Sequence, residues 1–242
     1  MKTREIVLKK IISFSLWGQD LKYLVGAVKN CDLAKSIYPG WTCRFYIAQS
    51  VPQSFVTQIS QRNNTEIVMM PEWGDWKALY WRFRAADDKD VDVVISRDTD
   101  SRLNKREAEA VNQWIESNKS FHIMRDHPYH RFLVLGGMWG AKKHTFENLG
   151  SLIDSFQTSD AYGTDYDFWQ KVGLKSISED QIMIHDEFFS ANCSFPSARD
   201  GLEFVGKVFD ENDETVIEHE KALEKYLSLR QAQDQVILKP NE

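Results

Sequence analysis

The chain predicts an open, largely parallel α/β sheet flanked by helices. Three observations carry this. Short apolar runs rich in β-branched residues recur through the first hundred residues. Segments with helical periodicity separate them. One run, Val91-Asp92-Val93-Val94-Ile95-Ser96, ends abruptly in Arg97-Asp98-Thr99-Asp100-Ser101-Arg102. Apolar runs bounded by polar punctuation read as buried strands. Strand–helix alternation argues a parallel sheet with right-handed crossovers.

The elements follow in order. Lys10 to Ser15 reads as a first strand. Gln19 to Ile37 reads as an amphipathic helix with Leu21, Leu24, Val25, Val28 and Ile37 on or near one face, and Tyr38-Pro39-Gly40 ends it. Thr42 to Ala48 is a second strand, Pro52 to Gln61 a short helix, and Thr65 to Met70 a third strand. Trp76 to Ala86 is a further helix, and Val91 to Arg97 the fourth strand. Asn104 to Asn118 is a helix with Ala108, Val111, Trp114 and Ile115 as its buried stripe, and Asn104 with Glu107 forms a capping box. Phe121 to Met124, Phe132 to Leu135 and Gln181 to Ile184 are strand candidates. Thr145 to Phe156 and Asp165 to Val172 look helical. Thr215 to Gln233 is a long charged helix. Packing on its own chain is the default, and dimerisation or carrying an appendage are the alternatives.

Composition bounds the function. With 242 residues, 42% hydrophobic and 27% charged, the chain is long enough for one large α/β domain. We read residues 1–242 as a single domain, with about 1–103 resembling a nucleotide-binding half, about 104–212 a second half, and 213–242 the C-terminal helix. A net charge of −6 argues against a broad nucleic-acid face. Cys31, Cys43 and Cys193 form neither a disulfide framework nor a metal-type pair. The charged amino terminus and the short apolar run Ile11 to Leu16 give neither a signal segment nor a membrane span. The expectation is a cytoplasmic protein, with peripheral contact at the inner face of the membrane left open.

Open α/β sheets bind ligands beyond the carboxyl ends of their strands. Asp98 and Asp100 therefore fall where such a sheet holds its ligand. Asp-x-Asp spacing also occurs at Asp88, Asp90, Asp92 and at Asp165, Asp167, so position distinguishes this pair. Hard divalent ions take oxygen ligands, and Mg²⁺ typically uses one or two carboxylates plus substrate phosphates. Arg97 and Arg102 flank the pair and are expected to meet phosphate charge with forked hydrogen bonds. The alternative is a strand-end turn whose Asp residues cap the next helix. Gly136-Gly137-Met138-Trp139-Gly140 follows an apolar run. Paired glycines let backbone approach a ligand closely, or mark a bulge.

Several stretches, in order, resemble one family. They are Trp81-Arg82-Phe83, then SRDTDSRLNKREAEAVNQWIES, FHIMRDHPYH, LGGMWGAKK, YGTDYDFW, HDEFF and FPSARDGLEFVGKVFDE, from about residue 80 to 212. The chain resembles GT-A fold glycosyltransferases with an Asp-x-Asp motif, of a largely uncharacterised bacterial group. The resemblance implies a GT-A-like single domain with a Rossmann-like, mostly parallel sheet and a C-terminal helix. It implies transfer of a sugar from a nucleotide-sugar donor to a hydroxyl on a carbohydrate or glycoconjugate acceptor, in surface polysaccharide or glycoconjugate synthesis.

It also implies roles. Asp98 and Asp100 would hold Mn²⁺ or Mg²⁺ against the donor diphosphate, with His185 as third ligand and Asp186 competing for that place. Ser15 and Trp17 would contact the nucleoside, and Arg82 or Arg84 the nucleotide or phosphate. Gly136, Gly137, Met138 and Trp139 would border the donor sugar. Asp165 would take the acceptor proton or stabilise a cationic sugar, with Asp167 as substitute. Asp126 and His127 would line the acceptor side, with about residues 104–212 as the acceptor half.

Four other readings stand beside this one. A haloacid-dehalogenase-type phosphatase uses Asp-x-Asp-x-Thr, but the fifth position here is Arg102. A nucleotidyltransferase normally shows a Gly-rich loop after its first strand, where this chain reads SFSLWGQD. His127-x-x-His130 can be read as a zinc pair. A non-catalytic carbohydrate- or partner-binding module would keep the fold without the chemistry.

Overall fold

The computed structural model describes residues 8–156, 163–190 and 193–237. The charged amino terminus, Tyr162 of the YGTDYDFW motif and the last five residues lie outside the described residues.

Seven strands form one sheet. They are β1 (Lys10–Leu16), β2 (Thr42–Ile47), β3 (Thr65–Met69), β4 (Val93–Ser96), β5 (Phe121–Arg125), β6 (Trp139–Lys142) and β7 (Ile182–Asp186). Their order is β3-β2-β1-β4-β6-β5-β7. β6 runs antiparallel to both of its neighbours, and the remaining pairings are parallel. The helices are α1 (Leu21–Ile37), α2 (Gln53–Ser60), α3 (Lys105–Glu116), α4 (Leu149–Ser155), α5 (Thr164–Lys171) and α6 (Ile217–Ile237).

Side chains on a strand alternate between faces, so β1 feeds two cores. Ile12 and Phe14 pack with Leu24, Phe45, Val111 and Trp114 on the α1/α3 face. Ile11 packs with Tyr46, Phe83, Trp139, Phe168 and Trp169 on the other. That second core is strongly aromatic, with Trp139 5.2 Å from Phe83 and 4.9 Å from Trp169 between ring centroids. Each such ring removes about 150–250 Å² from water, a gross stabilisation of roughly 4–6 kcal/mol per ring.

Three elements differ from the expectation. Trp76–Asp87 is a 3-10 helix rather than an α-helix. Its Arg82 N–H donates to Ser15 Oγ (3.1 Å), and its Arg82 carbonyl accepts from Ser13 Oγ (2.7 Å). The strand therefore takes backbone groups that an α-helix would pair internally. Phe132 to Leu135 is not a strand. The strand of this region is β6, hidden in the sequence by Gly-Gly-Met-Trp-Gly, which reads as a close-approach or bulge segment. The capping box at α3 is half formed. Asn104 accepts from Glu107 N–H (2.9 Å), while the Glu107 carboxylate accepts from Arg97 Nε (3.0 Å) and Tyr38 Oη (2.9 Å).

α6 packs on its own chain. Leu223 is fully buried, and Tyr226 meets Phe188 edge-on at 4.7 Å. No helix among the described residues is long and apolar enough to cross a membrane.

Candidate functional site

A cavity of about 590 Å³ opens at the carboxyl ends of β1 and β4. Ser15, Trp17, Arg82, Asp98, Asp100, Gly136, Met138 and Asp165 all line it. These eight sequence-expected residues come from five separate stretches of chain. A parallel sheet brings strand ends together in this way.

Arg82 is the hub. Its side chain is buried, held by the Ser13 and Ser15 bonds at its backbone. Nη1 donates to the Asp98 carboxylate and to the Arg97 carbonyl (3.0 Å). Nη2 lies 3.7 Å from Asp165 Oδ2. Asp98 is the open member of the set, with 44% of its side chain exposed, whereas Asp165 has 5%. Burial pushes the Asp165 carboxyl up to about 6, Arg82 pulling it down and Asp98 pushing it further up. Burial also raises Asp100, reinforced by Asp98 and opposed by Lys22, whose Nζ lies 3.1 Å from Asp100 Oδ2.

The paired glycines are needed for close approach. A Cβ on Gly136 would overlap the Asp165 carboxylate and the Arg82 guanidinium, and one on Gly137 would overlap the Asp98 carboxylate. Gly137 therefore packs directly on Asp98, although it does not line the cavity.

Besides Gly137, five expected site residues are not brought to the cavity. Arg97 points into the α1/α3 core, where Nε donates to Glu107 and Nη1 to the Ser96 and Trp139 carbonyls (2.7 and 3.3 Å). Arg102 turns to the C-terminal segment, donating to Asp213 (3.1 Å) and the Asp210 carbonyl (3.0 Å). Trp139 is fully buried among aromatic rings. Asp126 accepts from Arg106 (3.0 Å), Arg199 (2.6 Å) and Val205 N–H (2.9 Å), which ties the 197–205 segment to the end of β5. His185 is buried, its Nδ1 2.7 Å from His122 Nε2 and its Nε2 2.9 Å from Gln113 Oε1. The competing Asp186 is paired with Arg125 and accepts from Phe188 and Phe189 N–H (2.9 Å each). Asp167, the substitute for Asp165, is exposed and paired with Lys171 at 2.8 Å.

The zinc pair is likewise excluded by hydrogen bonding. His127 Nδ1 accepts from Tyr129 N–H (3.1 Å), and its Nε2 donates to the His219 carbonyl (3.0 Å). Among the described residues no cluster of three His, Cys, Asp or Glu could hold a metal.

The remaining wall of the cavity went unassigned by sequence reasoning, save for His127 on the acceptor side and the zinc pair of His127 and His130. Tyr129, His130, Phe204 and His219 line it. Tyr129 and His130 fall within the FHIMRDHPYH motif, and Phe204 within the long motif near residue 200, yet no spacing rule marks them as neighbours. Lys22 was missed too. Its only sequence signal is its place in the first turn of the helix that follows β1.

Asp98 and Asp100 supply two hard carboxylate groups at the cavity, with Asp98 open to it. That donor set suits an octahedral divalent ion completing its shell with substrate phosphate and water. It does not suit a closed all-protein site.

No protein-family model and no curated protein matches the chain. Solved structures do match. The 4-diphosphocytidyl-2C-methyl-D-erythritol synthase from Anaerococcus prevotii shares 8% identity at a TM-score of 0.50, over 78% of this chain and 91% of its own. A glycosyltransferase involved in glycosylation of the major capsid of PBCV-1 shares 14% identity at a TM-score of 0.49, over 74% and 81%. The glucosyl-3-phosphoglycerate synthase from Mycobacterium tuberculosis, solved with Mn²⁺, UDP and phosphoglyceric acid, shares 13% identity at 0.45, over 78% and 72%. At such identities a likeness speaks to fold alone. The fold is a GT-A-like α/β domain: a seven-stranded, mostly parallel sheet between helices, with a C-terminal helix.

Proposed function

We propose that this chain is a divalent-metal-dependent glycosyltransferase, moving a sugar from a nucleotide-sugar donor to an acceptor hydroxyl. The observation that carries the reading is the convergence of Asp98, Asp100 and Asp165 on one cavity around the buried guanidinium of Arg82. Surface polysaccharide or glycoconjugate synthesis is the setting that such a donor and acceptor fit.

In the proposed reaction the acceptor oxygen bonds to the anomeric carbon as the bond from that carbon to the diphosphate oxygen breaks. The bonding electrons leave with the nucleoside diphosphate, and the hydroxyl proton passes to the Asp165 carboxylate. A carboxyl near 6 is mostly ionised at neutral pH and is more basic than a solvated one, which suits a general base. Asp98 and Asp100 would hold Mn²⁺ or Mg²⁺, which when bound stabilises charge building on the diphosphate. Arg82 fixes the direction of Asp98 and limits how far Asp165 rises. Trp17, 6.4 Å from Trp76 in an edge contact, offers a ring for the nucleoside. Ser15, through its bond to Arg82 N–H, supports the hub from the strand beneath.

The match to a cytidylyl-transferring synthase favours a second reading, nucleotidyl transfer. The β1–α1 turn argues against it, since Trp17-Gly18-Gln19-Asp20 carries one glycine and no phosphate-cradling loop.

One assay separates the readings. The chain is incubated with Mn²⁺ and a panel of nucleotide sugars, or of nucleoside triphosphates with sugar phosphates. Nucleoside diphosphate release supports glycosyl transfer. Pyrophosphate release supports the second reading, and neither product leaves a binding module.

A further inference from the structure

Resting on the transferase reading, we infer that the wall formed by Tyr129, His130, Phe204 and His219 is the acceptor subsite and that it takes an uncharged saccharide. The hydrogen bonds at His130 come first. Its Nδ1 accepts from Asp126 N–H at 3.0 Å, so in the neutral ring the proton sits on Nε2. Burial and the neighbouring His127 and His219 push His130 down to about 3, and burial puts His127 at about 4. The wall thus offers a fixed, uncharged N–H donor that is neither a base nor a metal ligand. Such a donor matches a hydroxyl oxygen.

The rings complete the surface. His219 lies 5.6 Å from the Tyr129 ring centroid and 6.5 Å from Phe204. Tyr129 is 48% exposed and presents both an apolar ring and a polar tip. Sugar rings carry the same mixture, with C–H faces and hydroxyl edges. Pockets of this type orient a ligand with a few placed polar groups on an apolar lining. The wall is also linked to the proposed base. Phe132, on the loop that carries Tyr129 and His130, stacks on Tyr166 at 4.5 Å, next to Asp165.

Charge decides against an anionic acceptor. The cations bordering this wall are engaged elsewhere. Arg106 and Arg199 are held by Asp126, and Lys207 by Glu203 and Glu220. Arg131 is exposed, its guanidinium 6.0 Å from the Tyr129 ring centroid, and is the competing recognition element for an anion. Asp20, Asp98, Asp100 and Asp165 also line the cavity. Apart from Arg131, a phosphate or carboxylate on the acceptor would lose water without gaining a partner there.

The test uses a nucleotide sugar that the chain hydrolyses, with Mn²⁺ and two acceptor sets. The uncharged set is p-nitrophenyl β-D-glucopyranoside and β-D-galactopyranoside. The anionic set is glucose 6-phosphate and glucuronic acid. We expect transfer to the uncharged set, with acceptor KM rising about tenfold or more in Tyr129→Ala and His130→Phe, by more than any change in donor KM, and largely restored in His130→Gln. Saturation-transfer NMR of the same sugars on the unaltered chain gives a readout free of folding defects, and only the uncharged set is expected to show signal. Preference for the anionic set, with Arg131→Ala abolishing it, would overturn the subsite while leaving the transferase reading intact. Absence of turnover with every donor would remove both.

Discussion

The Arg82 guanidinium lies 3.7 Å from the Asp165 carboxylate, and both side chains are at most 5% exposed. The same guanidinium bonds to the open carboxylate of Asp98. One buried cation therefore couples the proposed base to the proposed metal residue, and several expectations follow from that coupling.

Activity should fall as pH drops through about 6, because Asp165 must be ionised to accept a proton. In Arg82→Gln the attraction that lowers Asp165 is gone, so this acid limb should move to higher pH. A pH–rate profile of nucleoside diphosphate release measures both. An unmoved limb in Arg82→Gln would break the coupling.

Asp165 should also cost stability at neutral pH. In the folded chain it loses its proton near 6, against 3.8 ordinarily. Between those values the folded state holds the proton more often than the unfolded one, so stability falls as pH rises from about 4 to 6. It stays lower above that range. Asp165→Asn should then be inactive yet more stable at pH 7 by about 1–2 kcal/mol, after allowing for the lost Arg82 attraction. Urea unfolding at pH 7 tests it. A destabilised Asp165→Asn would contradict the burial argument.

The buried His122–His185 pair should make the fold acid-sensitive. Burial holds His185 at about 4 and His122 well below its usual value, the latter also opposed by His185. The unfolded chain binds these protons near 6.5 and the folded chain does not. Stability present above pH 6.5 is therefore lost as pH falls toward 4, by up to about 3 kcal/mol from His185. The Asp165 effect runs in the opposite direction, so denaturation is best compared in Asp165→Asn with and without His185→Gln. The His185→Gln background should show the flatter pH dependence.

Gly137→Ala should abolish turnover while leaving the sheet intact, because the added Cβ meets the Asp98 carboxylate. A loss of about a hundredfold or more in kcat/KM, with near-native circular dichroism, is expected. Unchanged kinetics would mean that the position of Asp98 does not matter.

Much of this was legible in sequence, and the misses have physical causes. Six of the seven strands announced themselves by apolar, β-branched runs ending in polar residues. The strand β6 did not, since Gly136 and Gly137 just before it and Gly140 within it serve close packing against Asp165, Asp98 and Trp114. Arg97 was misplaced because it adjoins Asp98 in sequence. Side chains of successive extended residues point to opposite faces, so the neighbour of a site residue faces the core. His185 was misplaced by strand order. β6 and β5 stand between β4 and β7, and three strand spacings amount to roughly 14 Å. Periodicity locates strand ends but says nothing of which ends are adjacent. The imidazole wall was invisible for the same reason, its parts coming from three distant segments.

The most direct measurement is Mn²⁺ binding, followed by electron paramagnetic resonance, with and without the nucleoside diphosphate that the chain releases. Asp98→Ala and Asp100→Ala are compared with the unaltered chain. The expected result is that the diphosphate tightens Mn²⁺ binding in the unaltered chain, and that each alanine variant loses tenfold or more of that affinity together with metal-dependent turnover. Full Mn²⁺ affinity and full turnover in both variants would contradict the claim that these two carboxylates hold the ion.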